Sequence, residues 1–290
     1  MSTYAILGIT GHVGSTAAER LLADGAHIRA IVRSEAKAKP WRDRGAETAL
    51  ATLDDPVALR AAFDGVDGVF IMTPTWFEAE NMFAENAKAL TALGQALKAV
   101  PRTKVVLLSS IGAHRPHGTG AIMKLHDMEL AFAGVPSVTS LRAGWFMENF
   151  AGMIPHARET GVLPSMLAPL DRAVPMVATA DIGRTVADIL QQDWSGQRVI
   201  ELEGPRRYAP HDVAAAFSTV LQRPVEAQVL PPAEWHSVFL SWGLTRRSAE
   251  AMAEMLNGFN GGWIAYEKSE AETARGATPL EAVLAELARP

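Results

Sequence analysis

The chain of 290 residues contains no cysteine. Disulfides, thiol nucleophiles, thiolate-bound zinc and iron–sulfur clusters are therefore excluded. Basic charge is not in excess either: 27 Lys and Arg stand against 32 Asp and Glu, for a net charge of −5. That balance argues against a nucleic-acid partner. No uninterrupted apolar stretch approaches the roughly twenty residues needed to span a bilayer, so no membrane partner is expected. Met1-Ser2-Thr3 places no basic segment ahead of the first apolar run. This is not a secretory leader, and a cytoplasmic protein is expected. The eight histidines are scattered, and no His/Asp/Glu set has metal-ligand spacing, so no metal is expected. Repeats and low-complexity segments are lacking. Tyrosine is scarce: Tyr4, Tyr208 and Tyr266 are the three, and none is followed four residues later by lysine.

What the chain does have is a glycine loop near its start. The apolar run Tyr4-Ala5-Ile6-Leu7 reads as a buried first strand. Gly8-Ile9-Thr10-Gly11-His12-Val13-Gly14 follows, and then Ser15 to Leu22 with a helical pattern. Strand, glycine turn and helix in that order form a phosphate cradle. Backbone N–H groups and the helix N-terminus face an anion there, and glycine lets the main chain come close. Arg33 closes a second strand, Ile28 to Val32. At that point an acidic residue would hold the ribose hydroxyls of NAD. A guanidinium instead favours a 2′-phosphate. The expected cofactor is thus NADP(H) in preference to NAD(H), bound through Gly8, Thr10, Gly11, His12, Val13, Gly14 and Arg33.

Strand and helix signals alternate through the first half, the mark of βαβ units and a parallel sheet. Further strands are read at Glu47 to Leu53, Val69 to Met72, Lys104 to Leu108, Ser137 to Leu141 and Val199 to Leu202. Helices are read after Asp55-Pro56, from about Glu78 to Ala99, through Met128 and Phe132, and from Asp181 to Leu190. Residues 151–175 carry several prolines and glycines and suit an insertion. From Gly204 on, helical stretches are joined by proline turns. A chain of this length buries roughly three quarters of its unfolded surface, ample for a stable core. The expected fold is α/β: a doubly wound parallel sheet, residues 1–150 and 176–204, beside a smaller, mainly helical substrate lobe, residues 151–175 and 205–290.

Ligands of such sheets bind outside the carboxyl ends of the strands. Those ends are Gly8, Arg33, Thr73 and Pro74, Ser109 and Ser110, and Ala143 and Gly144. Ser109 sits where a hydroxyl could face the nicotinamide or its ribose. Trp76 and Phe77 follow Pro74 and could wall a flat substrate. The general acid or base is unknown at this level, with Ser110, Lys124 and His126 as candidates. His126 and Glu129 are three residues apart on one helix and could pair.

These residues resemble a known group. Gly8 to Gly14, Val32-Arg33, Phe63-Asp64-Gly65-Val66-Asp67, Leu108-Ser109-Ser110, Leu141 to Phe150 and Ala180-Asp181-Ile182-Gly183 look like the NmrA-like branch of the atypical short-chain dehydrogenase/reductases. The resemblance covers nearly the whole chain and thins after about residue 205. It implies a Rossmann domain with a small C-terminal substrate lobe, usually with NADP(H). It also implies that Thr73 and Pro74 lie along the nicotinamide-side ribose. Trp145, Phe146 and Asn149 would border the nicotinamide and the substrate cleft, with Phe259 and Trp263 as further aromatic candidates. Members include quinone, azo-dye and triphenylmethane-dye reductases, and redox sensors that bind the nucleotide without turning it over.

Two departures from the group stand out. Where many relatives carry Gly-Asp-Leu after the third strand, this chain has Ala51-Thr52-Leu53. The Tyr–Lys dyad of the typical superfamily members is absent. Reduction of a simple ketone benefits from a positioned general acid. A quinone or dye takes hydride into a conjugated system, asks mainly for proximity to the nicotinamide, and can collect its proton from water. The expected activity is therefore NADPH-dependent hydride transfer to a small aromatic or quinone-like substrate, with a homodimer compatible with the chain. The alternative is a non-catalytic NADP(H)-binding sensor that acts through a protein partner.

Overall fold

A computed structural model describes residues 1–267 and 271–289. Its first half alternates as the periodicity requires. The elements run β1 (Thr3–Ile6), α1 (His12–Ala23), β2 (His27–Val32), α2 (Glu35–Arg42), β3 (Glu47–Leu50), α3 (Pro56–Phe63), β4 (Gly68–Ile71), α4 (Met82–Lys98), β5 (Lys104–Ser110), α5 (Met123–Ala131) and β6 (Ser137–Ala143). Then come β7 (Trp145–Phe146), α6 (Ile154–Thr160), β8 (Val162–Ser165), β9 (Val174–Val177), α7 (Thr179–Leu190) and β10 (Gly196–Glu203). The chain ends with β11 (Arg207–Tyr208), α8 (Pro210–Leu221), β12 (Glu226–Val229), α9 (Pro232–Ser241), α10 (Arg246–Asn260), β13 (Glu272–Arg275) and α11 (Leu280–Leu287).

Eight strands form one sheet in the order β13-β10-β6-β5-β4-β1-β2-β3, and every pairing in it is parallel. The six strands from β3 to β6 follow the order of a dinucleotide-binding sheet. Alternation divides the strands between two cores. Tyr4, Ile6, Phe70, Val106 and Leu141 face α1 and α7. Ala5, Leu7, Val69, Ile71, Val105 and Leu107 face α3, α4 and α5. Burial on both faces explains why these strands read as continuous apolar runs. A third core belongs to the smaller region, around Tyr208, Phe217, Trp235 and Phe239.

Several boundaries shift for local reasons. The long helix α4 begins at Met82 rather than Glu78, because the Asn81 side chain accepts hydrogen bonds from the amides of Phe83 and Ala84 at 3.2 Å. Asp55 does the same for α3. The segment after Gly204 is not purely helical. Strand β12 pairs with β8, and β13 returns to the main sheet as its eighth strand. Strand β13 reads Glu-Thr-Ala-Arg and carries no apolar run, so its strand character was hidden. Its edge position tolerates that composition, and Glu272 pairs with Arg198 of β10 at 2.8 Å. Just beyond it, the buried Asp181 carboxylate accepts the Thr278 amide at 2.9 Å. A Cβ at Gly276 would lie 2.4 Å from that carboxylate, so glycine permits the approach. Among the described residues no helix is long and apolar enough to cross a membrane.

Candidate active site

The glycine loop joins β1 to α1 as the spacing predicts. Gly8 takes φ +66°, and a Cβ there would lie 2.4 Å from the Met72 sulfur. The Gly11 amide closes the turn on the Gly8 carbonyl at 2.9 Å. Gly14 sits on the same carbonyl, where a Cβ would come within 2.4 Å. Gly11 is the N-cap of α1, with no side-chain cap and no acidic residue in the first turn. The leading amides of the helix therefore keep their capacity for an outside acceptor. Thr10, Gly11 and His12 are exposed at this end, whereas Val13 packs into the core.

Arg33 is exposed just past the carboxyl end of β2. The nearby Glu35 is engaged with Arg42 and does not compete for it. Thr52 is turned to Asp54, whose carboxyl it holds below its ordinary value by a hydrogen bond. After β4, Thr73 is buried and its hydroxyl has no partner within the chain. An uncapped helix end, glycines that keep the main chain accessible and an orphaned hydroxyl at the end of β4 together fit a nicotinamide dinucleotide.

Three loops converge at the carboxyl ends of the adjacent strands β4, β5 and β6. The first carries Trp76 in the left-handed region at φ +49°, an uncommon conformation for a bulky side chain. It is pinned to the start of α10: the Thr245 amide donates to Phe77 at 3.1 Å and the Thr245 hydroxyl to Ala79 at 3.2 Å. Phe77 and Trp76 pack on Met82, Ala121 and Ala251. The loop after β5 carries Arg115 over the Trp263 ring at 4.1 Å, with His117 stacked on the same ring. Trp145, after β6, meets Phe259 edge to face at 5.4 Å, and its indole N–H is buried without a partner. Phe146 packs toward the sheet core and Asn149 is exposed.

The candidates on α5 separate. Lys124 is buried, and its ammonium donates to the Pro74 carbonyl at 2.6 Å, 5.8 Å from the centre of the Trp76 ring. Burial alone pulls its pKa down to about 8. His126 donates from Nδ1 to the Ala113 carbonyl at 2.7 Å. The Ser110 hydroxyl donates to the Ile111 carbonyl. His126 and Glu129 do not pair, because Glu129 belongs to Arg142. The Arg142 guanidinium grips both Glu129 oxygens, at 3.0 and 2.7 Å, and reaches Glu267 at 2.8 Å. The Ser109 hydroxyl donates to Glu129 at 2.5 Å and so is engaged in this network.

That network was missed in the sequence, although a signal existed. Arg142 and Glu201 each interrupt an apolar strand run, and a charge in a buried strand needs a partner. Glu201 accepts the Glu267 amide at 2.6 Å, and the Tyr266 hydroxyl donates to the Leu202 carbonyl at 2.5 Å. Burial pushes both the Glu201 carboxyl and the Tyr266 phenol upward. Residues 266 and 267 are thereby strapped across the ends of β6 and β10. Among the described residues no cluster of three or more His, Asp or Glu could hold a metal ion.

The parallel sheet and its glycine loop define an NAD(P)-binding Rossmann domain with a small second region. The NmrA-like family model matches residues 1–282, and the chain belongs to that family. It is 27% identical to the NAD(P)H azoreductase of Xenophilus azovorans over 253 residues, covering 86% of this chain and 85% of that protein. Identity to quinone oxidoreductase 2 of Escherichia coli K12 is 26% over 253 residues, with the same coverage of both. The solved structure of the E. coli NADPH-dependent quinone oxidoreductase in complex with NADPH superposes with a TM-score of 0.81 at 25% identity, covering 98% of this chain and 99% of that one. A triphenylmethane reductase from Citrobacter sp. shares the fold at a TM-score of 0.81 and 18% identity, each chain covered to 99%.

Proposed function

We propose that the protein is an NADPH-dependent oxidoreductase that delivers hydride to a flat, conjugated acceptor of the quinone or dye kind. The observation that carries this reading is the uncapped start of α1, with Gly8, Gly11 and Gly14 around it, together with the loops after β4 and β6 that carry Trp76, Phe77 and Trp145. In this reading the amides from Thr10 to Gly14 hold the pyrophosphate and Arg33 takes the 2′-phosphate. Thr73 and Pro74 lie along the nicotinamide-side ribose. The bound cofactor supplies the hydride. The chain supplies position, with Trp76, Trp145 and Trp263 bordering a cleft that favours flat molecules over water. Kinship with an azoreductase and a quinone oxidoreductase supports the reaction class.

The test is an absorbance assay at 340 nm with purified protein. NADPH should be consumed with a quinone, and NADH should serve distinctly less well. No oxidation across quinones, azo dyes and triphenylmethane dyes would overturn the proposal.

A further inference from the structure

The loop after β5 gathers basic side chains without acidic ones. From Ser110 to His126 the chain has no Asp or Glu, whereas His114, Arg115 and His117 fall within four positions. Two turns fix this loop. The Ala113 amide donates to the Ser110 carbonyl and the Arg115 amide to the Gly112 carbonyl, both at 3.0 Å. The Ala113 carbonyl accepts from His126 at 2.7 Å, and the His117 carbonyl accepts from the Trp263 indole at 2.8 Å. The basic side chains are thus held in place ahead of any ligand. Polar atoms are nevertheless left over. Arg115 Nε and His114 Nδ1 are both buried without a hydrogen-bond partner among the described residues. Buried polar atoms are costly unless something pairs them. Glu267 feels the charge of both side chains, but Arg142 already engages it at 2.8 Å. Burial lowers the His114 pKa, with Arg142 and Arg115 acting in the same direction and Glu267 and Glu129 against it, so the imidazole is neutral at pH 7. The Arg115 guanidinium lies over the Trp263 ring at 4.1 Å, and His117 stacks on the same indole, 14° from parallel. Trp263 remains 37% exposed. A flat ring can join this stack while an acidic group on it meets the guanidinium. In the sheet, β5 lies between β4 and β6, whose ends the reductase reading gives to the nicotinamide and the acceptor.

We infer that Arg115, with His114 and Trp263 beside it, binds an acidic substituent of the acceptor, so that the preferred substrates are aromatic acceptors bearing a sulfonate, carboxylate or phosphate group. This rests on the reductase reading and narrows its substrate class from flat acceptors to flat anionic ones. The guanidinium forks onto two oxygens of the acidic group. A ring nitrogen of His114 adds a further hydrogen bond, and the Trp263 indole takes the aromatic ring. The acidic group plays no part in hydride transfer. It anchors the ligand equally before and during reaction, so its contribution appears in KM and not in kcat.

The experiment follows NADPH oxidation with 1,4-naphthoquinone and with 1,4-naphthoquinone-2-sulfonate in the wild type, Arg115→Gln and Arg115→Lys. Comparing variants on the same two quinones cancels the difference in their intrinsic reactivity. Arg115→Gln should raise KM for the sulfonate by about tenfold or more at nearly constant kcat, and KM for the neutral quinone by less than about twofold. Arg115→Lys keeps the charge and loses the fork, so its KM for the sulfonate should lie between the two. Calorimetry with naphthalene-2-sulfonate, 2-naphthoate and 2-naphthyl phosphate, none of them reducible, reads the same site without turnover. At least one should bind the wild type more tightly than neutral 2-naphthol and lose about tenfold in affinity in Arg115→Gln, with NADPH affinity within about twofold of wild type. An unchanged KM for the sulfonate in Arg115→Gln, or an equal rise for both quinones, would overturn the inference. So would a matching loss of NADPH affinity, since Arg115 would then be a nucleotide contact. If the wild type oxidised NADPH with none of the acceptors, the reductase reading would fall, and the naphthalene anions would still decide whether Arg115 holds an acidic group.

Discussion

Arg142 and Glu129 meet edge to edge at the carboxyl end of β6, with Nε 3.0 Å from one carboxylate oxygen and a terminal nitrogen 2.7 Å from the other. This fork joins β6 to α5, the helix that bears Lys124. Ser109 adds β5, and Glu267 adds the segment strapped across the sheet. Arg142→Met leaves Glu129 partly buried without its cation and should cost about 3–5 kcal/mol in urea unfolding. Glu267 is more exposed at 38%, and Glu267→Gln should cost under about 1 kcal/mol. Equal losses from the two variants would remove the network from its structural role.

Acid and base should act on this region in opposite ways. Glu267 is held below the usual carboxylate range, first by its hydrogen bond to Arg142. It supports folding above that range, and its support fades as pH falls through the lowered value. Glu201 is pushed up by burial, so it binds its proton more tightly when folded. Its ionisation therefore weakens the fold as pH rises past the ordinary carboxylate value. Glu201→Gln keeps an oxygen for the Glu267 amide and discards the charge. Thermal melts should show a higher Tm for this variant at pH 7 and a smaller difference at pH 4. A lower Tm at pH 7 would contradict the assignment.

Much of the sheet was legible because β1, β2, β4, β5 and β6 are buried on both faces and read as apolar runs between turn signals. The glycine loop was legible because its conformation demands glycine at Gly8 and Gly14. Other features were hidden by long-range pairing. Strand β13 has no apolar signature, since an edge strand does not need one. Glu129 is three residues from His126 and invited a local pair, but a guanidinium on the neighbouring strand claims it instead. Ser109 marked a strand end correctly, and its hydroxyl direction is set by Glu129, twenty residues away. The state of Lys124 was likewise unreadable, because its partner, the Pro74 carbonyl, lies fifty residues away in the loop after β4.

The glycines of the loop should separate by role. A Cβ at Gly14 would strike the Gly8 carbonyl, so Gly14→Ala should destabilise the fold. A Cβ at Gly11 would have the Gly8 carbonyl oxygen as its nearest neighbour, at 3.4 Å. Gly11→Ala should therefore fold with a loss under about 1 kcal/mol, the scale of an N-cap change. It should nevertheless weaken NADPH binding, because the added methyl crowds the amides that face the pyrophosphate. Chemical denaturation paired with calorimetry reads both effects, and a Gly11→Ala variant with wild-type NADPH affinity would displace the phosphate from this loop.

The most direct measurement is a calorimetric titration of the wild type and Arg33→Ala with NADPH and with NADH. A charged hydrogen bond of about 1.5–3 kcal/mol between Arg33 and the 2′-phosphate predicts a preference for NADPH of roughly ten- to a hundredfold in the wild type. The preference should narrow sharply in Arg33→Ala. Absence of heat with either dinucleotide, or equal affinity for the two in the wild type, would contradict the assignment of the glycine loop and Arg33 to the cofactor.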